Sequence, residues 1–594
     1  MQWVETEVEK RLQQSLHNRV YIVLDKENDS EQIQHPWVID IKVGEQPSYQ
    51  LPKDTPIEQV FYSSDTAGRL LILGAPGSGK TTILLKLAQQ LVIRAKANPD
   101  YPIPVLLNLS SWKAETQSIK DWMVTDLKAK YGVRKDIAKQ WIEEEKIIPL
   151  LDGLDELDAA RQEKCVQAIN EFLHPETWSR GLVVCSRLEE YQHYQTNLGL
   201  KGSIILKPLT IEEIKDYILK TEGESLWNTI KTDSDFIELA KTPLFLNIII
   251  IASQNIYFEQ WKQLPSSEER QNHLFDAYIQ RMLKRPYKKK PKPYKDEDTK
   301  RWLGYLAKQL IRENKTEFLI EKMQPTWLEN PSKEISYGMI VGLIYWLIVG
   351  LSVGLILMLI YWLIVELIPG QATGLLIALV SLQIVGLISW LTVGLMIALI
   401  FGLFVGEAPI KAVEAFQFSF KNLKNNLIFG LICGFILEIT LGKMSGVILG
   451  IAGLINGLID GLISWLIGSK IEYKNTPNQW ISQSLQKIFI VTTLTSVSCV
   501  GLSWLLMLAL EESISVFYAS IVCFGLSLLL GLLKKGLPLI QHFSLRLVLS
   551  KNYHIPWNYA RFLDYSTNRL FLQRVGGGYR FVHDLLRQHF AEKY

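Results

Sequence analysis

The sequence predicts a three-layer α/β domain built on a parallel sheet, joined to a polytopic α-helical membrane bundle. Three observations predict it. A glycine-rich loop closing on Gly79-Lys80-Thr81 lies between the apolar run 70–73 and a helical pattern that begins at Ile83. Further apolar runs at 102–109, 147–152 and 181–187 alternate with amphipathic stretches such as 163–173, the pattern of a parallel sheet covered by helices. From Tyr337 to about Leu533 the chain turns apolar and glycine-rich, with fewer charges than a soluble core of that length carries.

The loop reads Gly74-Ala75-Pro76-Gly77-Ser78-Gly79-Lys80-Thr81-Thr82. Strand, glycine-rich loop and helix in that order make a phosphate cradle, because successive backbone N–H groups and the positive end of the helix dipole converge on one anion. Gly77 and Gly79 supply the positive φ that a close backbone approach requires. Lys80 then reaches the β- and γ-phosphates, and the Thr81 hydroxyl ligates Mg²⁺. Residues 74–82 are therefore the expected contacts of a nucleoside triphosphate.

A triphosphatase also requires an acid on a neighbouring strand to hold Mg²⁺, and a carboxylate to orient or deprotonate the attacking water. The run 147–152 reads as a buried parallel strand ending at Asp152, with Gly153 turning the chain and Asp155 and Glu156 on the loop beyond. Asp152 joins Thr81 as the metal-side candidate. Asp155 and Glu156 are the candidate catalytic pair, the base not being assigned between them. Active groups of such sheets sit at the carboxyl ends of the strands, where the run 181–187 ends in Arg187. Two readings of Arg187 stand: a γ-phosphate sensor or a solvated loop cation.

The string Leu150-Leu151-Asp152-Gly153-Leu154-Asp155-Glu156-Leu157 after this loop, followed by Val183-Val184-Cys185-Ser186-Arg187, resembles the NACHT family of STAND NTPases, P-loop switch proteins of immunity and signalling. The segment 102–112 (PIPVLLNLSSW) is similar to cyanobacterial members. The resemblance spans roughly residues 60–335 and again 555–594. It implies a switch holding ADP in a closed resting form and ATP in an open, self-associating one, with ATP/ADP and Mg²⁺ as cofactors. It further implies that Asp152 is the Walker B acid, Asp155 and Glu156 the extended acidic pair, and Arg187 the sensor arginine. Pro243, within Thr242-Pro243-Leu244-Phe245-Leu246, matches the proline that lies against adenine, although proline also serves simply to start a helix. The stretch 579–591 (YRFVHDLLRQHFA) is similar to the winged-helix end of such modules. There the residue at the position of His583 contacts the β-phosphate of ADP; a histidine that only packs is the other reading.

A net charge of +3 over 594 residues points to no nucleic-acid partner. The cysteines Cys165, Cys185, Cys433, Cys499 and Cys523 lack disulfide or metal spacing, and the first two read as reduced buried thiols. Residues 1–16 are charged and amphipathic, without the apolar core of a signal peptide.

Crossing about 30 Å of hydrocarbon takes about 20 apolar residues. Six spans fit, at about 337–368, 371–406, 427–442, 444–468, 488–510 and 513–533. With the nucleotide domain inside, Lys411, Lys421, Lys424, Lys470, Lys474, Lys487, Lys534 and Lys535 lie on the inner side and Lys443 lies outside, the bias of a cytoplasmic face. An even number of spans returns the residues beyond them to that same side. Gly450, Gly453, Gly457 and Gly461, like Gly342, Gly350 and Gly354, line small residues along a helix and permit close packing within one bundle or between bundles. Asp460 lies inside the fourth span, as a functional acid or as a hydrogen-bonding partner with Asn456.

The expected organisation is an N-terminal adaptor-like region (1–60), an NTPase core (61–208) and a helical subdomain (209–284) opened by the capping box Thr210-Ile211-Glu212-Glu213. Beyond it come a basic linker leading into a winged-helix region (285–335), the membrane bundle (336–535) and a winged-helix-like end (536–594), with a hairpin within 569–583. With the apolar region, the resemblance implies a multi-pass switch in the bacterial plasma membrane, its nucleotide domain and C-terminal part expected to be cytoplasmic. ATP binding and slow hydrolysis would control homo-oligomerisation and the bundle, in defence or stress signalling. Expected partners are nucleotide, membrane lipid, further copies of the chain when activated, and an activating ligand or protein that the residues do not identify. The alternatives are an ATP-driven transporter, against which the lack of an LSGGQ-like signature counts, and a passively anchored NTPase. The lack of an Asn-Lys-x-Asp reader disfavours guanine nucleotides.

Overall fold

The computed structural model describes residues 1–14, 38–43, 49–52, 55–112, 117–286, 292–347, 536–575 and 577–594, with short pieces between 394 and 410. They fall into two compact units, the first built from Met1–Leu319 and Asn558–Tyr594 and the second lying between Ile320 and Trp557.

In the first unit, seven strands form one sheet: β1 (Val38–Val43), β2 (Tyr49–Gln50), β3 (Arg69–Gly74), β4 (Ile103–Asn108), β5 (Ile147–Asp152), β6 (Leu182–Arg187) and β7 (Gly202–Lys207). Their order is β2-β1-β7-β3-β6-β5-β4. Strands β3 to β7 pair in parallel, with Leu71 opposite both Val184 and Ser203, whereas β1 runs antiparallel to β7 and β2. The sheet is thus mixed, which corrects the purely parallel sheet expected from the sequence. The physical reason lies in residue pattern: β3 and β5 are continuous apolar runs suited to a sheet interior, while β1 alternates apolar and charged residues (VIDIKV), as an antiparallel edge does. The register sets Asn108 beside Asp152 and Gly74 beside Arg187, all at the carboxyl ends of their strands.

Among the helices of the first unit, those used below are α1 (Gln2–Gln13), α2 (Lys80–Ala97), α3 (Pro243–Ala252), α4 (Ser267–Lys284), α5 (Asp296–Arg312), α6 (Tyr559–Asn568) and α7 (Asp584–Lys593). Helix α1 packs on α2, its Val4 and Val8 entering the apolar core of the sheet. Helix α3 is buried along its whole length. The capping box expected at Thr210 is present, with the Glu213 N–H donating to Thr210 Oγ1 at 3.3 Å and the Thr210 N–H to Glu213 Oε2 at 3.0 Å.

The expected hairpin is also present. Strands β9 (Leu572–Val575) and β10 (Gly578–Phe581) pair antiparallel, and the two-residue β8 (Glu317–Phe318) adds to β10, giving the order β8-β10-β9. Contacts with the helices hold these C-terminal elements in place. The Tyr278 hydroxyl of α4 donates to Leu570 O at 2.7 Å. His589 of α7 lies between Asn272 and Asp276 of α4, at 2.8 and 3.0 Å. Helix α5 lies along α7 so closely that a Cβ on Gly304 would sit 2.6 Å from the Tyr594 carbonyl carbon.

The second unit contains a helix over 331–347. Tyr337 and Val341 are buried on one side of it, while Ile335, Met339, Leu343 and Leu347, four residues apart, are exposed. Gly338 and Gly342 pack against Gly402 and Ala398 with no room for a side chain, the close approach that small residues allow. Among the described residues no single helix is long and apolar enough to cross a membrane. A bent pair, Ser234–Ala240 with Pro243–Asn255 at 117°, matches by composition, but its second helix begins with the buried α3. The six expected spans lie outside the described residues, apart from 337–347 and short pieces within 394–404. Cys165 and Cys185 are free and buried, and burial pushes the Cys165 thiol up to about 12.

Candidate functional site

The phosphate loop leaves β3 at Gly74 and enters α2 at Lys80. Gly77 and Gly79 have φ of +78° and +101°, conformations that strain any residue with a Cβ. Gly77 is also constrained from outside: an added Cβ would sit 2.8 Å from Leu244 Cβ, and the Leu244 N–H donates to Gly77 O at 3.2 Å. The start of α3, with Pro243 at its first position, therefore abuts the loop. Lys80 Nζ donates to the loop carbonyls of Gly74 and Ala75 at 2.8 and 3.1 Å, and burial lowers its pKa.

The acidic strand end completes one wall. Thr81 Oγ1 donates to Asp152 Oδ2 at 3.0 Å, bringing the two expected metal ligands together. Gly153 turns the chain at φ +80° into a short helical turn carrying Asp155 and Glu156. Arg187 at the end of β6 pairs with Asp155 at 2.9 Å and with Glu190 at 3.1 Å, and lies 3.8 Å from Asp584. Burial raises the Asp155 pKa, against the charges of Lys80 and Arg187. Burial, reinforced by the charges of Asp152 and Asp155, pushes the Glu156 carboxyl up to about 7. Asn108 Nδ2 donates to Glu156 Oε2 at 3.0 Å and fixes its orientation.

The C-terminal hairpin supplies another wall. Burial pulls the His583 imidazole down to about 4, so the ring is neutral at pH 7. Its Nδ1 accepts the Leu585 N–H at 3.1 Å as the N-cap of α7. The single ring proton of the neutral form therefore resides on Nε2.

One cavity of about 200 Å³ is lined by Pro76, Gly77, Gly79, Lys80, Thr81 and Thr82, by Asp152, Asp155, Glu156 and Arg187, and by Pro243 and His583. Gly74, Ala75 and Ser78 form the loop behind its surface, and Ser78 Oγ is buried with no hydrogen-bond partner among the described residues. Loop glycines with positive φ, an orphaned loop hydroxyl and a threonine hydroxyl turned to a carboxylate together fit a phosphate chain with Mg²⁺. Among the described residues, no cluster of three or more His, Cys, Asp or Glu forms a separate metal site.

Sequence reasoning missed Arg11, Asn108, Asn247, Gln573, Arg580, Asp584 and Arg587, all but Asn108 lining the cavity. Two left a readable signal. Arg11 shares the spacing of the apolar Val4 and Val8 on α1, and Arg580 alternates with the buried Tyr579 and Phe581 on β10.

No curated protein matches the chain. Among solved structures, Cdc6p from Pyrobaculum aerophilum is similar at 14% identity and a TM-score of 0.23, covering 44% of this chain and 74% of that one. The Orc1 protein of Aeropyrum pernix, solved in complex with DNA, is similar at 12% identity and a TM-score of 0.23, covering 47% of this chain and 75% of that one. Residues 69–224 match the family model of the NACHT domain, and over that stretch the chain carries a P-loop NTPase domain of the NACHT type.

Proposed function

We propose that this protein is an ATP/ADP-operated signalling switch of the NACHT type, held in a bacterial plasma membrane by residues 337–533 with its nucleotide domain cytoplasmic. One observation carries the reading. The cavity is walled by the phosphate loop and strand ends, which precede the apolar region in the chain, and by residues 573–587, which come after it. A nucleotide bound there touches both flanks of that region. A diphosphate and a triphosphate make different contacts with the two walls, and that difference is what shifts a population between two states. The shift would govern self-association and the membrane segment, in defence or stress signalling. The exposed apolar row Ile335, Met339, Leu343 and Leu347, which leads into the apolar region, fits a helix that meets lipid.

The residues divide the chemistry among them. Thr81 and Asp152 would hold Mg²⁺, which would offset charge on the phosphates. Lys80 leaves the loop carbonyls for the phosphate chain. Asp155 is engaged by Arg187, which leaves Glu156 as the general base; a carboxylate with a pKa of about 7 accepts a water proton readily at neutral pH. Asn108 keeps that carboxylate in place. His583 presents its Nε2 proton to a phosphate oxygen, and Pro243 lies against the base.

Nucleotide content after purification in detergent tests the reading. The wild-type protein should retain ADP and hydrolyse ATP slowly. Lys80→Ala should lose the nucleotide and remain in the membrane fraction after alkaline extraction. Wild-type protein that takes up neither nucleotide, or that alkali releases from membranes, overturns it.

A further inference from the structure

The cavity holds a cation for which the phosphate loop and its acids have no use. Arg11, near the end of α1, is 4% exposed and lines the cavity. A buried guanidinium ordinarily meets a carboxylate at hydrogen-bonding distance, because an unpaired buried charge is costly. The carboxylates near Arg11 stand further off, Glu7 at 3.5 Å and Asp152 at 4.0 Å. Both are otherwise engaged. Glu7 is held by Lys130 at 2.9 Å and by the Tyr131 hydroxyl at 2.8 Å, and Asp152 accepts the Thr81 hydroxyl. The Arg11 Nε has no hydrogen-bond partner among the described residues.

A second guanidinium, Arg580 of β10, enters the same cavity. With the Gln573 amide oxygen turned toward it, its Nη2 and Nε donate at 2.9 and 3.0 Å, to a neutral acceptor. Burial lowers the Arg580 pKa and the charge of Arg11 lowers it further, so the two cations feel each other. The remaining arginines of the cavity are matched: Arg187 by Asp155 at 2.9 Å and Arg587 by Asp584 at 2.5 Å. Among the described residues, Arg11 and Arg580 are the cavity arginines with no carboxylate oxygen nearer than 3.5 Å.

Position identifies the anion that would match them. Arg11 reaches toward Asp152, which with Thr81 marks the metal end of the phosphate chain. A planar guanidinium fork engages two phosphate oxygens at once, and a triphosphate extends one phosphate further toward that end than a diphosphate. We propose that Arg11 binds the terminal phosphate of a nucleoside triphosphate, with Arg580 beside it, so that the N-terminal helix distinguishes the triphosphate from the diphosphate. The proposal rests on the nucleotide-switch reading and adds to it the residue that reads the third phosphate. It also makes α1 part of the switch, since α1 packs on α2 and contacts β9.

The full chain in detergent provides the test, by equilibrium dialysis against MgATP and MgADP separately. Arg11→Gln should weaken ATP binding about tenfold or more and leave ADP within about twofold of wild type. Arg11→Lys, which keeps the charge but not the fork, should fall between. In wild-type protein ATP, and not ADP, should slow amide hydrogen exchange within residues 2–13, and Arg11→Gln should abolish that difference. Should Arg11→Gln fail to fold, Arg11→Lys carries the same comparison. Equal loss of both nucleotides, or loss of neither, overturns the proposal and leaves the nucleotide reading standing. Wild-type protein that binds neither nucleotide overturns both.

Discussion

Replacing Glu156 by glutamine keeps the side chain's shape and removes its charge, and the site gives that change a definite pH signature. In the folded protein burial pushes the carboxyl up to about 7 from its ordinary 4.5, with the charges of Asp152 and Asp155 adding to the effect and the Asn108 amide and Arg580 opposing it. The unfolded chain ionises near 4.5. Between the two values the unfolded chain has released a proton that the folded protein keeps, so wild-type stability falls as pH rises through this window; above about 7 the loss is complete. At about 1.4 kcal/mol per tenfold in proton affinity the loss comes to about 3.5 kcal/mol, and the partial solvent contact of the side chain brings it nearer to about 2 kcal/mol. Glutamine carries no such penalty, and its amide oxygen still accepts from Asn108. Melting of both proteins without nucleotide, in a chelator, should give similar temperatures at about pH 5 and a variant more stable by a few degrees at about pH 8. ATP hydrolysis by Glu156→Gln should fall about 100-fold or more, with ATP binding retained. A melting difference that stays flat over that range, or that turns in favour of the wild type as pH rises, refutes the burial argument.

Two further substitutions probe the walls of the site. Gly77→Ala places a Cβ 2.8 Å from Leu244 Cβ and 3.0 Å from Thr242 Cγ2 at a φ of +78°, so it should cost about 1–3 kcal/mol and abolish nucleotide uptake, read by calorimetry and by dialysis. Arg187→Ala leaves the buried Asp155 without its partner at 2.9 Å; a lower melting temperature, equivalent to about 2–3 kcal/mol, should be partly restored by acidification as Asp155 takes up a proton.

The nucleotide core was legible in the residues because its chemistry is local. A short contiguous run dictates the phosphate loop, and the apolar stretch ending at Asp152 dictates a buried strand with an acid at its tip. The parts that were not legible depend on contacts between distant segments. Strand β8 is two residues long, Glu317–Phe318, and is a strand only because Tyr579 and Arg580 pair with it. The antiparallel edge made by β1 and β2 mixes charged and apolar residues, and its place in the sheet comes from pairing with β7 rather than from its own composition. Arg11 and Arg580 each stood where a periodic pattern calls for attention, a cation on an apolar helix face and a cation alternating with buried aromatics. What neither pattern carries is that both side chains line the same cavity.

The pairing of β8 with β10 has a consequence for the order in which the molecule comes into being. Phe318 and Tyr579 face each other across about 260 residues, which at about 5–20 residues per second is roughly 13–50 s of translation. During that interval the phosphate loop, Asp152 and Arg187 are already made, while Arg580 and His583 have yet to emerge from the ribosome. A nascent chain therefore carries the phosphate loop and Arg11 before the second wall of the cavity, with Arg580 and His583, exists. Synthesis aborted inside the apolar stretch would leave the phosphate loop and Arg11 facing a cavity without its second wall, residues 573–587.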